Sequence, residues 1–305
     1  MSPMRVLVTG SRGYLGRRVV ARLTEAGHEV VPLVGDVRTA DVPPCDGVVH
    51  LAALTRVRES FDRPLDYYDV NVTGTLRLLR ARPSRFVLAS TAGVYGVPST
   101  PVVAEDHPRV PTNPYAASKA AAEDAVSWAA RGGALAAVTL RLFNIAGGGD
   151  RDDTRVVTRA CGAASGRLPD IEVYGDGSAV RDFVHVDDAA RAFVLALEAC
   201  VPGHTAYNVG AVPASVADVL AAVGRVAGRL PAVVRRPAHP GEVRELRADA
   251  SRLHTLGWVP RVVDLDAVVR SQWETERPAQ ELPTTPKPAP DRSRRHGEDT
   301  GRPGR

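Results

Sequence analysis

Arg5-Val-Leu-Val-Thr9, running into Gly10-Ser-Arg-Gly13-Tyr-Leu-Gly16, decides the reading of this chain. A β-branched run that ends in a Gly-x-x-Gly-x-x-Gly loop and passes into sequence of helical spacing reads as strand, tight turn and helix N-terminus in succession. In that context Gly10, Gly13 and Gly16 allow the turn and a close backbone approach, and the helix N-terminus faces a pyrophosphate. A Gly-rich structural turn is the plain alternative. The strand before and the helix after favour dinucleotide binding.

Outward from the loop, short apolar runs alternate with longer helical stretches: Val6 to Val8 then Leu15 to Ala26, Gly47 to His50 then Pro64 to Arg80, Phe86 to Ala89 then Pro114 to Ala130, and finally Ala137 to Leu142. This alternation predicts an α/β fold, a doubly wound parallel sheet of Rossmann type. Past Asn144 the pattern loosens. Gly147 to Val180 is rich in Gly and Asp, Arg181 to Glu198 reads as a strand turning into a helix, and Thr205 to Val209 reads as a strand. Val216 to Ala227 and Asp249 to Leu256 are helical stretches. We expect a nucleotide-binding domain over 1–145, completed by parts of 181–210, and a smaller C-terminal substrate-binding cap from 146–180 and 211–276. Beyond Arg277 the chain is Pro-, Arg- and Thr-rich without an apolar period, so 277–305 is expected to be disordered.

With 305 residues, 44% hydrophobic and 24% charged, the composition is globular. The formal charge is +4, but Arg277 to Arg305 holds seven Lys/Arg against four Asp/Glu and so carries three of the four net charges. The body has no basic stripe interleaved with aromatics, which argues against a nucleic-acid partner. Cys45, Cys161 and Cys200 are widely spaced and odd in number, as expected of buried thiols in a reducing compartment. His185 beside Asp187-Asp188 reads as a satisfied strand-to-helix turn, and no second His has ligand spacing, so no metal site is expected. No leader segment and no apolar run of ~18 residues is found, so no membrane span is expected and the location expected is cytoplasmic.

Asn113-Pro114 supplies an N-cap and a first-turn Pro for a helix ending near Arg131-Gly-Gly133. Tyr115 and Lys119 then share one face, a turn apart. The ammonium can stabilise phenolate and draw the phenol pKa down from about 10, making Tyr115 a candidate general base. Tyr-x-x-x-Lys alone is more often ordinary surface helix. Ser90 and Thr91 end the strand that begins at Phe86, at the sheet edge where ligands of open α/β sheets bind, although a Ser-Thr there also serves as a turn or cap.

Together these residues resemble the extended short-chain dehydrogenases/reductases that act on nucleotide sugars, most closely the UDP-galactose (UDP-glucose) 4-epimerase group. The resemblance runs from about Met4 to Trp273. It comprises Val8-Thr-Gly10 with Gly13-Tyr-Leu-Gly16, His50-Leu-Ala-Ala53, the run from Glu59 to Leu76, Ser90-Thr-Ala-Gly-Val-Tyr-Gly96, Tyr115 with Lys119, Arg141-Leu-Phe-Asn144, Arg181-Asp-Phe-Val-His-Val-Asp187, Tyr207-Asn-Val-Gly210 and Leu256-Gly-Trp258. It implies that Tyr115 is the catalytic base, that Lys119 binds the nicotinamide ribose, and that Thr91 holds the sugar 4-hydroxyl. Tyr115 would take the proton from O4 while hydride passes to NAD, giving a 4-keto sugar that receives hydride on its other face. The resemblance further implies that Tyr14, Leu15, Leu51, Ala52, Ala53, Thr55, Asn71 and Phe143 line the cofactor cleft, with Asp36-Val37 at the adenine. Asn144, Arg181 and His239 would meet the substrate diphosphate, and Val173-Tyr174 the uracil. Without the resemblance, Arg181-Asp182 reads equally well as an ion pair at a strand start. Two helices, Pro64 to Arg80 and Pro114 to Ala130, correspond to those that pair in family homodimers.

The chain departs from the family pattern in three places. Only twelve residues separate Val34 from Gly47, where a further strand and helix are normal, and the acid expected on the ribose 2′-hydroxyl is replaced by Val34 or Gly35. Arg12 can pair with a 2′-phosphate, so NADP stays open beside NAD; NAD is favoured because an epimerase recycles its cofactor. His239-Pro-Gly-Glu242 replaces an Arg-Pro-Gly-Asp phosphate segment, with Arg236 or Arg244 as compensating cations, and Leu246 leaves tolerance of a C2 acetamido group open. Ala92-Gly93 stands where nucleotide-sugar dehydratases carry an acid pair. The expected activity is therefore NAD-dependent C4 epimerisation of a nucleotide-linked hexose. The alternatives are an NADPH-dependent 4-ketoreductase and a non-catalytic dinucleotide-binding module, the latter opposed by Thr91, Tyr115 and Lys119.

Overall fold

A computed structural model describes residues 2–238 and 243–276. Its first half runs β1 (Arg5–Thr9), α1 (Tyr14–Glu25), β2 (Glu29–Pro32), β3 (Gly47–His50), α2 (Val57–Asp62), α3 (Pro64–Tyr68), α4 (Gly74–Arg80), β4 (Arg85–Thr91), β5 (Val102–Val103), α5 (Pro114–Ala130), β6 (Ala136–Leu142) and β7 (Asn144–Ala146). The second half adds α6 (Val156–Ser165), β8 (Ile171–Tyr174), β9 (Val180–His185), α7 (Val186–Ala199), β10 (Gly203–Val209), β11 (Val212–Ser215), α8 (Val216–Ala227), β12 (Val233–Arg236), β13 (Glu245–Ala248), α9 (Ser251–Thr255) and α10 (Leu265–Glu276). The expectations for His239 and for the tail 277–305 lie outside the described residues.

Six parallel strands form the central sheet in the order β2-β1-β3-β4-β6-β10. Successive residues of a strand face opposite ways, so each face of this sheet needs its own cover. Val6, Val8, Val49 and Val87 pack under Val19 and Leu23 of α1 and Phe193 and Leu197 of α7. Leu7, Val48, Phe86 and Leu88 pack on the other face under Leu78 of α4 and Ala122 and Val126 of α5. The sheet is therefore doubly wound, and its direction of travel reverses between β1 and β3, where such sheets open a ligand crevice at their carboxyl ends.

A second lobe joins β11, β9, β13 and β5, with β7 also on β9 and a separate β8–β12 pair. Helices α6, α8 and α10 enclose Phe183, Val212, Ala214 and Trp273 there. Segment 147–180, where the alternation loosens, contains α6 and β8. Helix α6 is built largely of small residues and takes its stability from burying Val157, Ala160, Cys161 and Ala164, spaced i, i+3, i+4 and i+7, in this core. The long helix expected over Pro64 to Arg80 is α3 and α4 joined by a π-helical turn, Asp69–Thr73. That turn directs Asn71 inward, where it accepts from the Leu54 amide (2.9 Å) and donates to the Leu54 carbonyl (3.1 Å) and Ser118 Oγ (2.9 Å).

Strand β2 is the sheet edge, and the shortened connection after it holds neither strand nor helix. It is nevertheless firmly built. The amides of Thr39 and Ala40 close a turn on the Asp36 carbonyl (3.0 and 2.8 Å), and Arg77 Nη2 donates to the carbonyls of Thr39 (3.0 Å) and Ala40 (2.7 Å). Val37 is buried against α4, where a Cβ on Gly74 would lie 2.7 Å from Val37 Cγ1. Arg77→Ala should therefore cost about 1–2 kcal/mol of unfolding free energy and speed hydrogen exchange at the Thr39 and Ala40 amides; unchanged exchange would show that the turn stands without it.

Candidate active site

The glycine loop meets the end of β3 at contact distance. Gly10 has φ +66°, and a Cβ there would lie 2.8 Å from the Ala52 nitrogen; one on Gly16 would lie 2.0 Å from the Gly10 carbonyl oxygen. Only glycine fits at either position. Thr9 Oγ1 accepts from the amides of Leu51 (3.1 Å) and Ala52 (3.0 Å) and hydrogen-bonds His50 Nδ1 (2.8 Å), fixing the His50 to Ala53 stretch beside the loop. The start of α1 carries no capping side chain and no acid in its first turn. A bare glycine cradle at a helix N-terminus fits a dinucleotide pyrophosphate.

From this cradle a cavity of about 590 Å³ opens at the carboxyl end of the sheet. It brings together Gly10, Gly13, Tyr14, Leu15, Gly16, Leu51, Ala53, Thr55, Thr91, Tyr115, Lys119, Phe143, Asn144 and Arg181. Several expected contacts lie elsewhere. Arg12 is exposed on the loop, Asp36 is paired with Arg38, and Val37 and Asn71 are buried. Ala52 backs the loop without lining the cavity, and Val173 and Tyr174 lie on β8, the latter hydrogen-bonded to Glu172 (3.1 Å).

At the centre of the cavity wall stands the start of α5. Asn113 Oδ1 accepts from the Ala116 amide (2.9 Å) and Pro114 occupies the first turn, as the sequence predicts. The Thr91 hydroxyl faces the Tyr115 phenol in the cavity wall, and Lys119 Nζ donates to the Ala89 carbonyl (2.8 Å). Burial pushes the Tyr115 phenol above its ordinary range, while the Thr91 hydroxyl and the Arg155 charge pull the other way. The expectation that Lys119 draws the phenol down is not met in this geometry, because its ammonium is turned to Ala89. Burial lowers the Lys119 pKa to about 8, against an opposing pull from Glu123.

On the opposite wall Asn144 Nδ2 donates to the Asp182 carbonyl (3.1 Å) and Arg181 Nη1 to the Val180 carbonyl (2.9 Å). Sequence reasoning missed Asp150, Arg155 and Thr158, all of which line the cavity. Asp150 is buried and accepts from Thr158 Oγ1 (2.9 Å) and Arg155 Nη1 (3.2 Å), while the Arg155 guanidinium lies over the Tyr14 ring at 5.4 Å. Their run, Asp150-Arg-Asp-Asp-Thr-Arg155, has the charge density of a solvated loop; its one signal was its place just ahead of α6. The Tyr14 hydroxyl donates to the Gly147 carbonyl and Arg18 to that of Gly148 (3.1 Å), tying the glycine loop to the second lobe. Among the described residues no group of three or more His, Cys, Asp or Glu could hold a metal, and no helix is long and apolar enough to cross a membrane.

Comparison with known proteins agrees with this geometry. The chain is 37% identical over 323 aligned residues to a UDP-glucose 4-epimerase of Azospirillum brasilense, covering 90% of this chain and 92% of that protein. It is 36% identical to one of Streptomyces lividans, covering 88% and 95%. Among solved structures, UDP-glucose 4-epimerase of Thermus thermophilus in complex with NAD superposes with a TM-score of 0.81 at 32% identity, covering 90% of this chain and all of that one. MoeE5 in complex with UDP-glucose and NAD gives 0.82 at 31%, covering 89% and 98%. The family model of the NAD dependent epimerase/dehydratase family matches residues 6–210, from β1 through the last strand of the central sheet, and the chain belongs to that family.

Proposed function

We propose that this chain inverts C4 of a nucleotide-linked hexose, of the UDP-glucose/UDP-galactose type, through a 4-keto intermediate, with NAD as its cofactor. The observation that carries this reading is the meeting of Thr91, Tyr115 and Lys119 with the glycine cradle in one cavity. Gly10, Gly13 and Gly16 would hold the pyrophosphate of NAD, Lys119 its nicotinamide ribose, and Tyr14, Leu15, Leu51, Ala53, Thr55 and Phe143 the walls around it. When bound, NAD supplies the acceptor and donor of hydride at the sugar carbon. Tyr115 takes the O4 proton and later returns it, while the Thr91 hydroxyl holds O4 in place. Ala92-Gly93 offers no acid or base for elimination, so the chemistry stops at C4.

Purified protein should interconvert UDP-glucose and UDP-galactose without net cofactor consumption and should release NAD on denaturation. Tyr115→Phe should lower kcat by about 100-fold or more. A second reading, reduction of a 4-keto sugar by NADPH, draws on exposed Arg12 and on Val34 and Gly35 standing where an acid for the ribose 2′-hydroxyl is expected. Protein that arrives empty, takes up NADPH and consumes it stoichiometrically would favour that reading.

We infer that Asn144 and Arg181 hold the substrate diphosphate, with Val173 and Tyr174 towards the base, and that Arg155 is the second guanidinium. Arg155 lines the cavity opposite the glycine loop, whereas Arg236, considered as a compensating cation, is paired with Glu172 (2.8 Å) outside it. Arg155→Ala should raise KM for the nucleotide sugar about 10- to 100-fold, a charged hydrogen bond being worth about 1.5–3 kcal/mol, and leave bound NAD unchanged. An unchanged KM would remove Arg155 from the site.

We assign residues 1–145, with parts of 181–210, to cofactor binding, and 146–180 with 211–276 to the substrate. We also propose a homodimer. Phe61, Leu65 and Tyr68 on α2 and α3 and Trp128 on α5 are exposed apolar side chains, Leu65 at 80%, more than isolated surface residues require. Leu65→Glu should convert the dimer to a monomer by sedimentation; a wild-type chain already monomeric would refute the assembly. The free thiols of Cys45, Cys161 and Cys200 suit a reducing cytoplasm.

A further inference from the structure

Behind the cavity wall, the Tyr115–Lys119 face of α5 continues to a buried carboxylate, Glu123, that the proposed chemistry does not use. Tyr115, Lys119 and Glu123 follow one another at one-turn spacing on a single face of α5. Each faces one of three successive residues at the carboxyl end of β4: Tyr115 stands beside the Thr91 hydroxyl, Lys119 donates to the Ala89 carbonyl, and Glu123 Oε1 accepts from the Ser90 hydroxyl. The Glu123 carboxylate, 2% exposed, is itself fixed from two further directions. Arg141 of β6 donates through Nη2 (2.9 Å) and Nε (3.2 Å), and Arg109, ahead of α5, through Nη1 (3.2 Å).

We propose that Glu123, acting through Ser90, is a positioning residue for the Tyr115–Lys119 pair. This rests on the functional reading above. Besides the Lys119 bond to the Ala89 carbonyl, the Ser90 bond is the side-chain link that ties the end of β4 to α5 among the described residues, and it helps to set how far Thr91 stands from the phenol. If it slips, the Thr91 hydroxyl moves off the phenol and the phenolate loses a donor that favours it. The charged and titratable groups around the phenol are Lys119 on α5, Tyr67 on α3 (ring centroids 6.3 Å apart) and Arg155 ahead of α6. Those around Glu123 are Lys119, Arg109 and Arg141, with His204 of β10 beyond. None of them replaces the Ser90 link, because Lys119 meets β4 at the Ala89 carbonyl and Arg141 meets Ser90 through the strand ladder rather than through its hydroxyl.

Ser90→Ala removes the link and leaves the Glu123 pairs with Arg109 and Arg141 intact, and Glu123→Asp shortens the reach to Ser90 while keeping the charge. In the NAD-loaded protein both should lower kcat about tenfold with KM for the nucleotide sugar within about twofold, the pattern of a lost transition-state alignment. Phenolate absorbance, identified by its loss in Tyr115→Phe, should titrate roughly half a unit or more higher in pH in both variants, and Ser90→Thr should return most of the loss. Folded variants with wild-type kcat and an unmoved titration would overturn the proposal. So would loss of folded protein in both, which would assign the cluster to stability alone. The titration needs no turnover, so it stays informative if the wild-type chain fails to interconvert epimers, a result that would count against the functional reading alone.

Discussion

The pairing of Glu123 with Arg141 is the constraint around which the catalytic edge of this fold is arranged. Removing two charges from water costs several kcal/mol per ion, and the interior returns that only when the remaining donors and acceptors are also met. Here they are. Arg141 Nη1 also donates to the Tyr95 hydroxyl (3.0 Å) and the Glu105 carbonyl (2.8 Å), Tyr95 donates to Asn208 (2.6 Å), and the Asn208 amide donates to Glu105 (2.8 Å). One connected network thus spans β4, β6, β10 and α5. Its value is less in net stability than in the single arrangement it permits, since every partial alternative strands a buried charge.

A second set of contacts makes the glycine loop and the second lobe one body. Tyr14 and Arg18 reach the carbonyls of Gly147 and Gly148, and the Gly148 amide in turn donates to Ser271 of α10 (3.0 Å), which also bonds His185 (3.0 Å). The cavity therefore has walls from both halves of the chain, tied together by side chains of one half that bond the backbone of the other.

Much of this was legible in the residues. The strand, glycine loop and helix at the N-terminus, the Asn113-Pro114 cap and the alternation of strands and helices each rest on local backbone chemistry, and a single sequence displays them. The truncated stretch between Val34 and Gly47 was equally visible, since a strand and helix cannot fit in twelve residues. What escaped was set by tertiary context. Helix α6 keeps a helical spacing at Val157, Ala160, Cys161 and Ala164, but mostly in small residues within a Gly- and Asp-rich stretch, and Arg155 sits in a run whose charges look solvated until Asp150 is seen buried behind them. Asn71 was expected at the cofactor; a π-helical turn instead aims it at Leu54 and Ser118. The direction of the Tyr115 phenol was misjudged because helical spacing gives proximity to Lys119 but not the competing Ala89 carbonyl, nor the depth of burial.

The missing strand beyond β2 has a consequence for the molecule's life in a concentrated solution. A parallel sheet cut one strand short presents an open row of backbone donors and acceptors, an invitation to pair with a strand from another chain. Strand β2 spans only Glu29–Pro32, opening with an exposed carboxylate and ending in a residue with no amide proton to offer. The chain then turns away through Gly35, with φ +101°, before any longer ladder can form. Glu29 and Pro32 thus act as gatekeepers against aggregation, guarding an edge that a longer chain would simply have covered.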